Sequence, residues 1–344
     1  MKYIPSIDVI IASKNEENHI ENCLKSVFNQ DYPENKINIL LVDGISSDST
    51  IKIVESLFSK EINCKILENK KIIQSEAWNL GINNSTSEII CILSAHCTIG
   101  VDYLKNVVSV FHETKADLIG GHMIAKGKGY IGKTIEFLHH SKFGIGVGKF
   151  HDPNFEGAAD TVYTLNFKRS ILNNNHPFDN RLIRNQDIEF SSKILKSGGK
   201  IFLSKKLDII YKTRDSINDF VKQYFNNGLW ILPTKIISKE TLSLRHFIPL
   251  FFTIFIFLIF LIEFSYISQL IPSNIIFLFR VILILYVVLN IIFSLKTGLE
   301  KGIKYIFSTF LLFFLLHFSY GLGTIFGIKE SFGLRKKNEQ KKDI

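Results

Sequence analysis

The sequence predicts an α/β domain with a parallel sheet, followed by apolar helices toward the carboxyl end. Two observations support this fold class. Short apolar runs rich in β-branched residues, such as Ile89–Leu93, alternate with segments whose apolar residues recur at helical spacing, which is the pattern of βαβ units. After residue 246 the composition changes, and three apolar stretches of roughly 20 residues or more follow, each long enough to cross the hydrocarbon core of a bilayer.

The predicted elements alternate along the first 235 residues, and each strand is a short apolar run bounded by turn-forming residues. The predicted strands are Ile7–Ala12, Ile37–Val42, Cys64–Leu67, Ile89–Leu93, Ala116–Ile124, Thr161–Asn166 and Lys200–Ser204. Asn15 is expected to cap the helix after the first strand, with Glu16 and Glu17 in its first turn. The glycine-rich run Gly144-x-Gly146-x-Gly148 neither follows a strand nor opens a helix, so residues 126–151 are predicted to form a flexible loop.

Charge and cysteine usage narrow the class of partner. The formal net charge is +9, which suits an anionic partner such as a phosphorylated substrate, an acidic membrane surface or nucleic acid. Nucleic acid is the weakest of these, because no compact basic patch is interleaved with aromatic residues. The four cysteines show no paired spacing, which indicates reduced thiols rather than disulfides or a zinc site. The apolar run at Ile7–Ala12 is too short for a signal peptide.

A carboxylate ends the second predicted strand. Ligands of open α/β sheets lie at the carboxyl ends of the strands, and there Asp43 can accept hydrogen bonds from a base or a ribose. Asp48, in the following loop, is instead predicted to be a turn or helix-cap carboxylate. No strand is followed by Gly-x-Gly-x-x-Gly or by a Walker loop, so a dinucleotide oxidoreductase and a P-loop enzyme are both disfavoured.

Several motifs in order along residues 7–232 carry a family resemblance. They are Ser13–Glu17, Asp43–Thr50, Asn79–Ile82 and Ser94–His96, with Asp160–Tyr163 and Arg184–Asp187 further on. Together they resemble family 2 glycosyltransferases with the GT-A fold, a Rossmann-like nucleotide-diphospho-sugar transferase domain. Within that family, the motifs of this chain most resemble those of succinoglycan-type, membrane-bound exopolysaccharide glucosyltransferases. That subgroup shows Asp-Ala-His where this chain has Ser94-Ala95-His96.

The resemblance implies a nucleotide-sugar site and a divalent cation, Mn²⁺ or Mg²⁺. Asp43 would contact the base, Ser94 occupies the ribose-facing acidic position, and His96 occupies the metal-ligand position. The cation would offset charge on the departing diphosphate, and because serine replaces a carboxylate, strong metal binding is in question. An imidazole suits Mn²⁺ better than Mg²⁺. The nucleotide-sugar-binding residues are predicted to be Ala12, Ser13, Asn15, Glu16, Asp43, Asn79, Ser94 and Ala95.

A second chemical centre is predicted at residues 178–190. A helix that starts near Asn185 would place Asp187 and Glu189 in its first turn, where the helix dipole favours anions. The family has a Glu-Asp motif here, and this chain has Gln186-Asp187. The resemblance therefore implies that Asp187 is the catalytic base of an inverting single displacement. The acceptor-side residues are predicted to be Gln186, Glu189, Gln223 and Trp230.

The predicted domains are a GT-A catalytic domain at 1–235, an interfacial linker at 236–246, a membrane anchor at 247–328 and a basic tail at 329–344. The anchor contains two to three hydrophobic helices, Phe247–Ile271, Ile275–Leu295 and Tyr305–Ile328. Glu263 and Arg280 interrupt the first two, and pairing with each other would reduce the cost of burying their charges in lipid. Three full crossings would place the basic tail outside, against the positive-inside rule, so the third stretch is expected to lie in the interface or to re-enter the membrane.

The sequence and the resemblance together predict an inverting glycosyltransferase. It would move one sugar from a nucleotide diphosphate sugar, expected to be a UDP-sugar, to a polyprenyl-linked acceptor in surface or exopolysaccharide synthesis. The enzyme would be a multi-pass protein of the cytoplasmic membrane with its catalytic domain on the cytoplasmic face, and nucleic acid is not an expected partner. Alternative functions are transfer to polyprenyl phosphate itself, processive polysaccharide synthesis, and a non-catalytic membrane-bound subunit that binds nucleotide sugars.

Overall fold

The computed structural model describes residues 3–58, 63–145, 148–172, 176–238, 244–264 and 269–340. The chain forms two compact units that are interleaved along the sequence. The sheet unit comprises Met1–Ala125 and Gly148–Lys212, and the helical unit comprises Lys126–Val147 and Thr213–Ile344. These two units are defined by internal contacts and not by function, so they do not test the predicted domain boundaries. The boundary at residue 235 stays a prediction.

The helices and strands follow one another in this order: β1 Ile7–Ser13, α1 Ile20–Phe28, β2 Ile37–Asp43, α2 Thr50–Leu57, β3 Asn63–Glu68, α3 Gln74–Asn83, β4 Ile89–Ser94, β5 Cys97–Ile99, α4 Tyr103–Thr114, β6 Leu118–Gly120, β7 Met123–Lys126, α5 Gly129–His140, β8 Gly157–Ala158, β9 Leu165–Lys168, α6 Gln186–Lys196, β10 Ile201–Leu203, β11 Ile209–Lys212, α7 Ile217–Leu229, α8 Ile231–Ile237, α9 Ile248–Phe264, α10 Ser273–Lys301 and α11 Ile306–Gln340.

The sheet unit is built on an eight-stranded sheet in the order β3-β2-β1-β4-β9-β6-β10-β8, and a three-stranded sheet has the order β5-β11-β7. Strands β1 to β4 pair in parallel as the sequence predicts. Beyond these four strands the sheet is mixed, because β9 pairs antiparallel with both β4 and β6. The segment between β6 and β9 contains β7, α5 and β8, so β9 does not follow a βαβ crossover.

The central strands are buried on both faces, which explains their continuous apolar runs. One face of β1 and β2 packs against α1, with Ile7, Ile11 and Leu24 in one apolar cluster. The other face packs against α3, with Ile10 and Ile82 in a second cluster. The sheet is therefore a rigid support for the loops at its carboxyl edge.

The helical unit contains α5, which corrects the prediction of a flexible loop over 126–151. α5 is an amphipathic helix whose buried residues Ile135 and Leu138 join a cluster with Phe220 of α7 and Phe313 of α11. Residue 146, in the predicted glycine-rich run, lies outside the described residues. The apolar stripe of α5 is short and interrupted by glycine, lysine and histidine, so composition alone concealed a helix whose partners lie far along the chain.

Among the described residues, two helices are long and apolar enough to cross a membrane by length and composition, Ser273–Lys301 and Ile303–Leu334. The predicted ion pair between α9 and α10 is present, because the Arg280 guanidinium donates to both Glu263 carboxylate oxygens at 2.7 and 2.9 Å. On α11, His317 lies 2.9 Å from the Phe143 carbonyl oxygen and 3.1 Å from the Tyr286 hydroxyl. These contacts hold the segment after α5 against α10 and α11.

Glycines allow α7 and α11 to approach at backbone contact. A Cβ atom on Gly228 would lie 1.8 Å from the Tyr320 carbonyl oxygen, and one on Gly323 would lie 2.0 Å from the Phe225 carbonyl oxygen. Close approach through small residues is typical of helix packing in membranes. The last helix is therefore fastened to α7 at positions where no larger residue fits.

Candidate functional site

The carboxyl ends of the parallel strands bring four predicted site residues to one edge of the sheet. Ser13 at the end of β1 is in register with Asp43 at the end of β2, and Asp43 is in register with Glu68 of β3. On the other side of β1, Ala12 is in register with Ser94 at the end of β4. The edge therefore presents hydroxyl and carboxylate groups side by side.

Asp43 shapes the loop that follows β2. Its Oδ2 accepts from the Ser46 backbone N–H at 2.8 Å, and its Oδ1 accepts from the Ser46 hydroxyl at 2.6 Å. The Ser13 hydroxyl lies 3.3 Å from the same Oδ1. These bonds turn the chain so tightly that Ile45 has a φ of +58°, a left-handed conformation that is uncommon for a β-branched residue.

Asn15 connects the loops after β1 and β2. Its backbone N–H donates to the Ser46 hydroxyl at 2.9 Å, and its side-chain oxygen accepts from the Ser47 N–H at 2.8 Å. Asn15 does not cap the next helix as predicted, since α1 begins at Ile20. A cap and a loop bridge need the same residue type, so local sequence could not distinguish the two roles.

The two glutamates after Asn15 precede α1, so their predicted place in its first turn is wrong. The Glu16 N–H donates to the Thr50 hydroxyl at 2.8 Å, and the Glu17 N–H donates to Asp48 Oδ2 at 3.1 Å. Asp48 Oδ1 also accepts from the Thr50 N–H at the start of α2. Asp48 is thus the turn carboxylate that the sequence predicts.

A carboxylate and two imidazoles form a polar cluster beside Ser94. Glu16 Oε2 lies 3.0 Å from His19 Nδ1, and Glu16 Oε1 lies 3.3 Å from His96 Nδ1. Burial opposes ionisation of Glu16, but hydrogen bonds to His19 and His96 outweigh this effect and lower the pKa of the carboxyl to about 2. The Ser94 hydroxyl lies 3.1 Å from His96 Nε2. The cluster therefore carries a fixed negative charge held by two histidines.

The start of α6 places Asp187 as predicted. Asn185 precedes the helix with a φ of +63°, and Gln186 is its first residue. Asp187 and Glu189 both lie in the first turn. Burial raises the pKa of Asp187, and the backbone N–H groups of Asp187 and Ile188 oppose that rise. A carboxylate with a raised pKa is a better proton acceptor than one in water.

Two tyrosines pack in series beside His96. Burial raises the pKa of the Tyr163 hydroxyl, with smaller contributions that include the charges of the Cys97 thiol and of the nearby Asp187 carboxylate. The Tyr163 ring packs edge-on against Tyr211 at a centroid distance of 5.8 Å, and Tyr211 packs against His96 at 5.2 Å. A chain of ring contacts therefore runs from Tyr163 through Tyr211 to His96.

Gln186 and Glu189 are held by groups other than Asp187. The Gln186 side chain is buried and donates to the Leu182 carbonyl oxygen at 3.3 Å. Glu189 is buried and pairs with Lys193 at 2.7 Å, and its Oε2 has no hydrogen-bond partner among the described residues. Burial raises the pKa of Glu189, and Lys193 opposes that rise.

Asn79 fastens the segment that leads to α6. Its side-chain amide donates to the Phe178 carbonyl oxygen at 2.8 Å and to Asn180 Oδ1 at 3.0 Å. Its Oδ1 accepts from the Phe178 N–H at 3.1 Å. The observed contacts of Asn79 position the approach to Asp187.

The remaining predicted residues are spread over both units. Ala12 lies near the end of β1, and Ala95 is buried between β4 and β5. Gln223 lies on α7 and the buried Trp230 follows it, so both belong to the helical unit. The other predicted site residues all belong to the sheet unit.

Sequence reasoning missed Tyr211 and His19. Tyr211 is on β11, where Ile209 and Tyr211 are buried and Ile210 between them is exposed. Because all three residues are apolar, the sequence offered a short apolar run and not an alternating pattern as a strand signal. His19 lies three residues after Glu16, a spacing at which side chains on one turn can meet.

No cluster of three or more His, Cys, Asp or Glu residues with metal-ligand spacing occurs in the part of the chain that the structure describes. The four cysteines are free, and burial raises the pKa of the Cys91 and Cys97 thiols. These thiols are therefore inert at neutral pH.

Comparisons with known proteins find a family match for part of the chain. Residues 8–164 match the family model described as glycosyl transferase family 2. A Methanococcus voltae protein, named dolichyl N-acetyl-alpha-D-glucosaminyl phosphate 3-beta-D-2,3-diacetamido-2,3-dideoxy-beta-D-glucuronosyltransferase, is 29% identical over 229 residues, which are 64% of this chain and 71% of that protein. The succinoglycan biosynthesis protein ExoA of Rhizobium meliloti is 25% identical over 244 residues, covering 70% of this chain and 74% of ExoA.

A solved structure resembles this fold at low sequence identity. The mannosyltransferase PcManGT from Pyrobaculum calidifontis, in complex with GDP-Man and Mn²⁺, superposes with a TM-score of 0.51 at 19% identity. The match covers 67% of this chain and 63% of the mannosyltransferase. With the mixed sheet and the carboxyl-terminal helices described above, this likeness agrees with a GT-A-type fold. Residues 8–164 of this chain are thus similar to glycosyl transferase family 2.

Proposed function

We propose that this protein moves one sugar from a nucleotide diphosphate sugar, a UDP-sugar, to a polyprenyl-linked acceptor, with inversion at the anomeric carbon. The observation that carries the proposal is Asp187, a carboxylate in the first turn of α6 whose pKa is raised by burial. The Methanococcus voltae relative is named for transfer to a dolichyl-linked sugar phosphate. That name supports an acceptor in which a polyprenyl lipid carries the reacting sugar.

The reaction needs one base and one leaving group. Asp187 takes the proton of the acceptor hydroxyl while the acceptor oxygen bonds to the anomeric carbon. The bond from that carbon to the diphosphate oxygen breaks, and the nucleoside diphosphate leaves with the bonding electrons. Attack opposite the leaving group inverts the anomeric centre. Asp43 would orient the base of the donor, since its carboxylate lies at the strand edge.

The residues near Ser94 fit a divalent cation only in part. Glu16 and His96 supply one carboxylate and one imidazole within 3.3 Å of each other, and the Ser94 hydroxyl is 3.1 Å from the imidazole. Cations that act on phosphates are commonly held by one or two protein ligands plus phosphate oxygens. Glu16, Ser94 and His96 would therefore hold the cation together with the donor, and the cation would supply charge for the departing diphosphate.

Replacing His96 by alanine is expected to weaken UDP binding in Mn²⁺ much more than in EDTA, because the imidazole is the candidate nitrogen ligand. Isothermal titration with UDP in each condition measures this difference. His19→Ala is the matched control, since His19 also binds Glu16 but through the other carboxylate oxygen. Equal losses in both conditions, or equal effects of the two variants, would assign His96 to holding Glu16 rather than the cation.

We further propose that the catalytic unit faces the cytoplasm, where nucleotide sugars are made, and that the tail after residue 328 lies on the same side. The second half of α11 packs against α7, and α7 exposes Asn218, Asp219 and Lys222 to water. A helix fastened to such a polar neighbour is poorly suited to a full crossing. The basic residues of the tail also oppose translocation.

A cysteine at Gly333 is expected to resist a membrane-impermeant thiol reagent in intact cells and to react after permeabilisation. Gly333 is exposed and a Cβ atom there meets nothing within 4 Å, whereas Ser331 is buried. Wild type is the control, because three of its four cysteines are buried and Cys64 is half-buried. Ready labelling from outside would establish that α11 crosses the membrane.

The direct test of the proposed function is a donor screen on purified membranes, measured as nucleotide release with a polyprenyl-linked acceptor extract. Release that depends on the acceptor and ends after one sugar is the expected result. Long products would favour a processive synthase, and release with polyprenyl phosphate alone would favour the other alternative. Binding of UDP without turnover of any donor would favour a non-catalytic subunit.

A further inference from the structure

One end of the helical unit combines aromatic residues with lysines. The Tyr130 ring of α5 stacks on Tyr305, just before α11, with a centroid distance of 5.2 Å and an angle of 13°. The Tyr130 hydroxyl donates to the Lys304 carbonyl oxygen at 2.5 Å, and the Lys304 ammonium lies 5.1 Å from the centre of the Tyr305 ring. These contacts fix the start of α5 to the turn between α10 and α11.

The lysines at this end are largely free of carboxylate partners. Lys128, Lys301 and Lys304 are exposed, and none of the three forms an ion pair with another described residue. Among their neighbours, Lys133 is tied to Glu136 at 3.0 Å and Lys296 approaches Glu300 at 3.9 Å. The exposed carboxylate of Asp215 accepts from the Lys128 backbone N–H at 3.3 Å, so it lies near that lysine. The surface as a whole keeps a positive excess.

Exposed apolar side chains lie beside these lysines. Leu299, Ile303 and Phe307 are 82%, 76% and 75% exposed, and they flank the turn that joins the two helices long enough to span a membrane. Apolar side chains next to tyrosine and lysine are the composition of a membrane–water interface, where aromatic rings lie at the headgroup level and lysines meet phosphate.

We propose that Lys128, Tyr130, Lys301, Lys304 and Tyr305 form a lysine–tyrosine rim that binds the anionic headgroups of the bilayer. The exposed Tyr130 ring lies at the level of the headgroups and stacks on the buried Tyr305 ring, and the three ammonium groups contact lipid phosphate. α5, which is inserted between two strands of the sheet unit, thereby becomes part of the membrane-facing surface. This inference rests on the proposed membrane location and adds to it a preference for anionic over zwitterionic phospholipid.

The full chain reconstituted in vesicles tests the preference with spin-labelled lipids. The measured quantities are the fraction of lipid immobilised by the protein and the ratio of association between phosphatidylglycerol and phosphatidylcholine labels. A lysine near an anionic surface contributes up to about fivefold in association, so we expect a ratio of about fivefold or more for wild type. The triple variant Lys128→Gln, Lys301→Gln and Lys304→Gln should fall below about twofold, and about 0.5 M salt should have a similar effect on wild type.

Two further variants keep the test decisive. Lys52→Gln, Lys115→Gln and Lys200→Gln remove three exposed lysines from the sheet unit and should leave the ratio unchanged. The triple variant Lys128→Arg, Lys301→Arg and Lys304→Arg should keep the wild-type association ratio. The proposed rim is contradicted if the association ratio is unchanged in the variant that carries glutamine at the three rim positions. It is equally contradicted if the ratio falls as much in the variant of the sheet unit. A wild-type chain that immobilises no lipid of either kind overturns the proposed membrane location instead.

Discussion

Replacing Asp187 by asparagine is expected to lower sugar transfer by about 10²-fold or more while donor binding persists. Asparagine keeps the size and hydrogen-bonding reach of the side chain but cannot accept the proton of the acceptor hydroxyl. Asp187 lies in the first turn of α6, and the asparagine oxygen can still accept hydrogen bonds from the backbone N–H groups there. Initial rates at saturating donor, with UDP affinity measured in parallel, separate chemistry from binding.

Asp102→Asn is the matched control, because it removes an exposed carboxylate of the same unit that makes no side-chain cap bond. It should retain wild-type rates. Activity of Asp187→Asn within a few-fold of wild type would exclude Asp187 as the base. A loss of donor affinity equal to the loss of rate would instead make Asp187 a binding residue.

The pH dependence follows from the same carboxyl group. Since burial raises the pKa of Asp187, the ionised form that accepts a proton is lost at a higher pH than for an ordinary aspartate. The wild-type rate should therefore fall as the pH drops through that raised pKa. The residual activity of Asp187→Asn should lack this acidic limb.

Replacing Gly323 by alanine is expected to destabilise the helical unit by about 3 kcal/mol or more. A Cβ atom there would lie 2.0 Å from the Phe225 carbonyl oxygen, and a backbone atom cannot move aside as a flexible side chain can. α7 and α11 would have to separate along their contact. The melting temperature of the detergent-purified protein should therefore fall by at least about 5 °C.

Gly333→Ala is the control on the same helix, because a Cβ atom there meets nothing within 4 Å. Alanine has the better helix propensity by up to about 1 kcal/mol, so this variant should be neutral or slightly more stable. Gly228→Ala, with a contact of 1.8 Å from the α7 side, should resemble Gly323→Ala. Equal melting temperatures for all the variants would mean that α7 and α11 do not pack in this way.

The sequence predicted those parts of the fold that local signals specify. The strands before Asp43 and Ser94 are continuous apolar runs, so their order and parallel pairing could be inferred. The start of α6 near Asn185 was likewise readable from the turn residues before it. The paired charges of Glu263 and Arg280 were predictable because each is costly alone in an apolar helix.

Other features depend on partners that are remote in sequence. The glycine- and lysine-rich composition around Gly129–His140 reads as a loop, and only packing against Leu312 and Phe313 of α11 makes it a buried helix face. The role of Asn15 was mistaken because its hydrogen-bond partners, Ser46 and Ser47, lie on a neighbouring loop. Tertiary contacts decide between structures that local propensity leaves equal.

The interleaving of the two units also sets the order in which the protein can be completed on the ribosome. All residues of the sheet unit have been synthesised once the chain reaches Lys212. The buried face of α5, in contrast, packs against residues about 180 positions later in the chain. During synthesis that face and its counterpart on α7 stay uncovered until α11 emerges. Contacts so distant along the chain form slowly, so a chain that stops before α11 retains its strands but carries two apolar surfaces that invite aggregation.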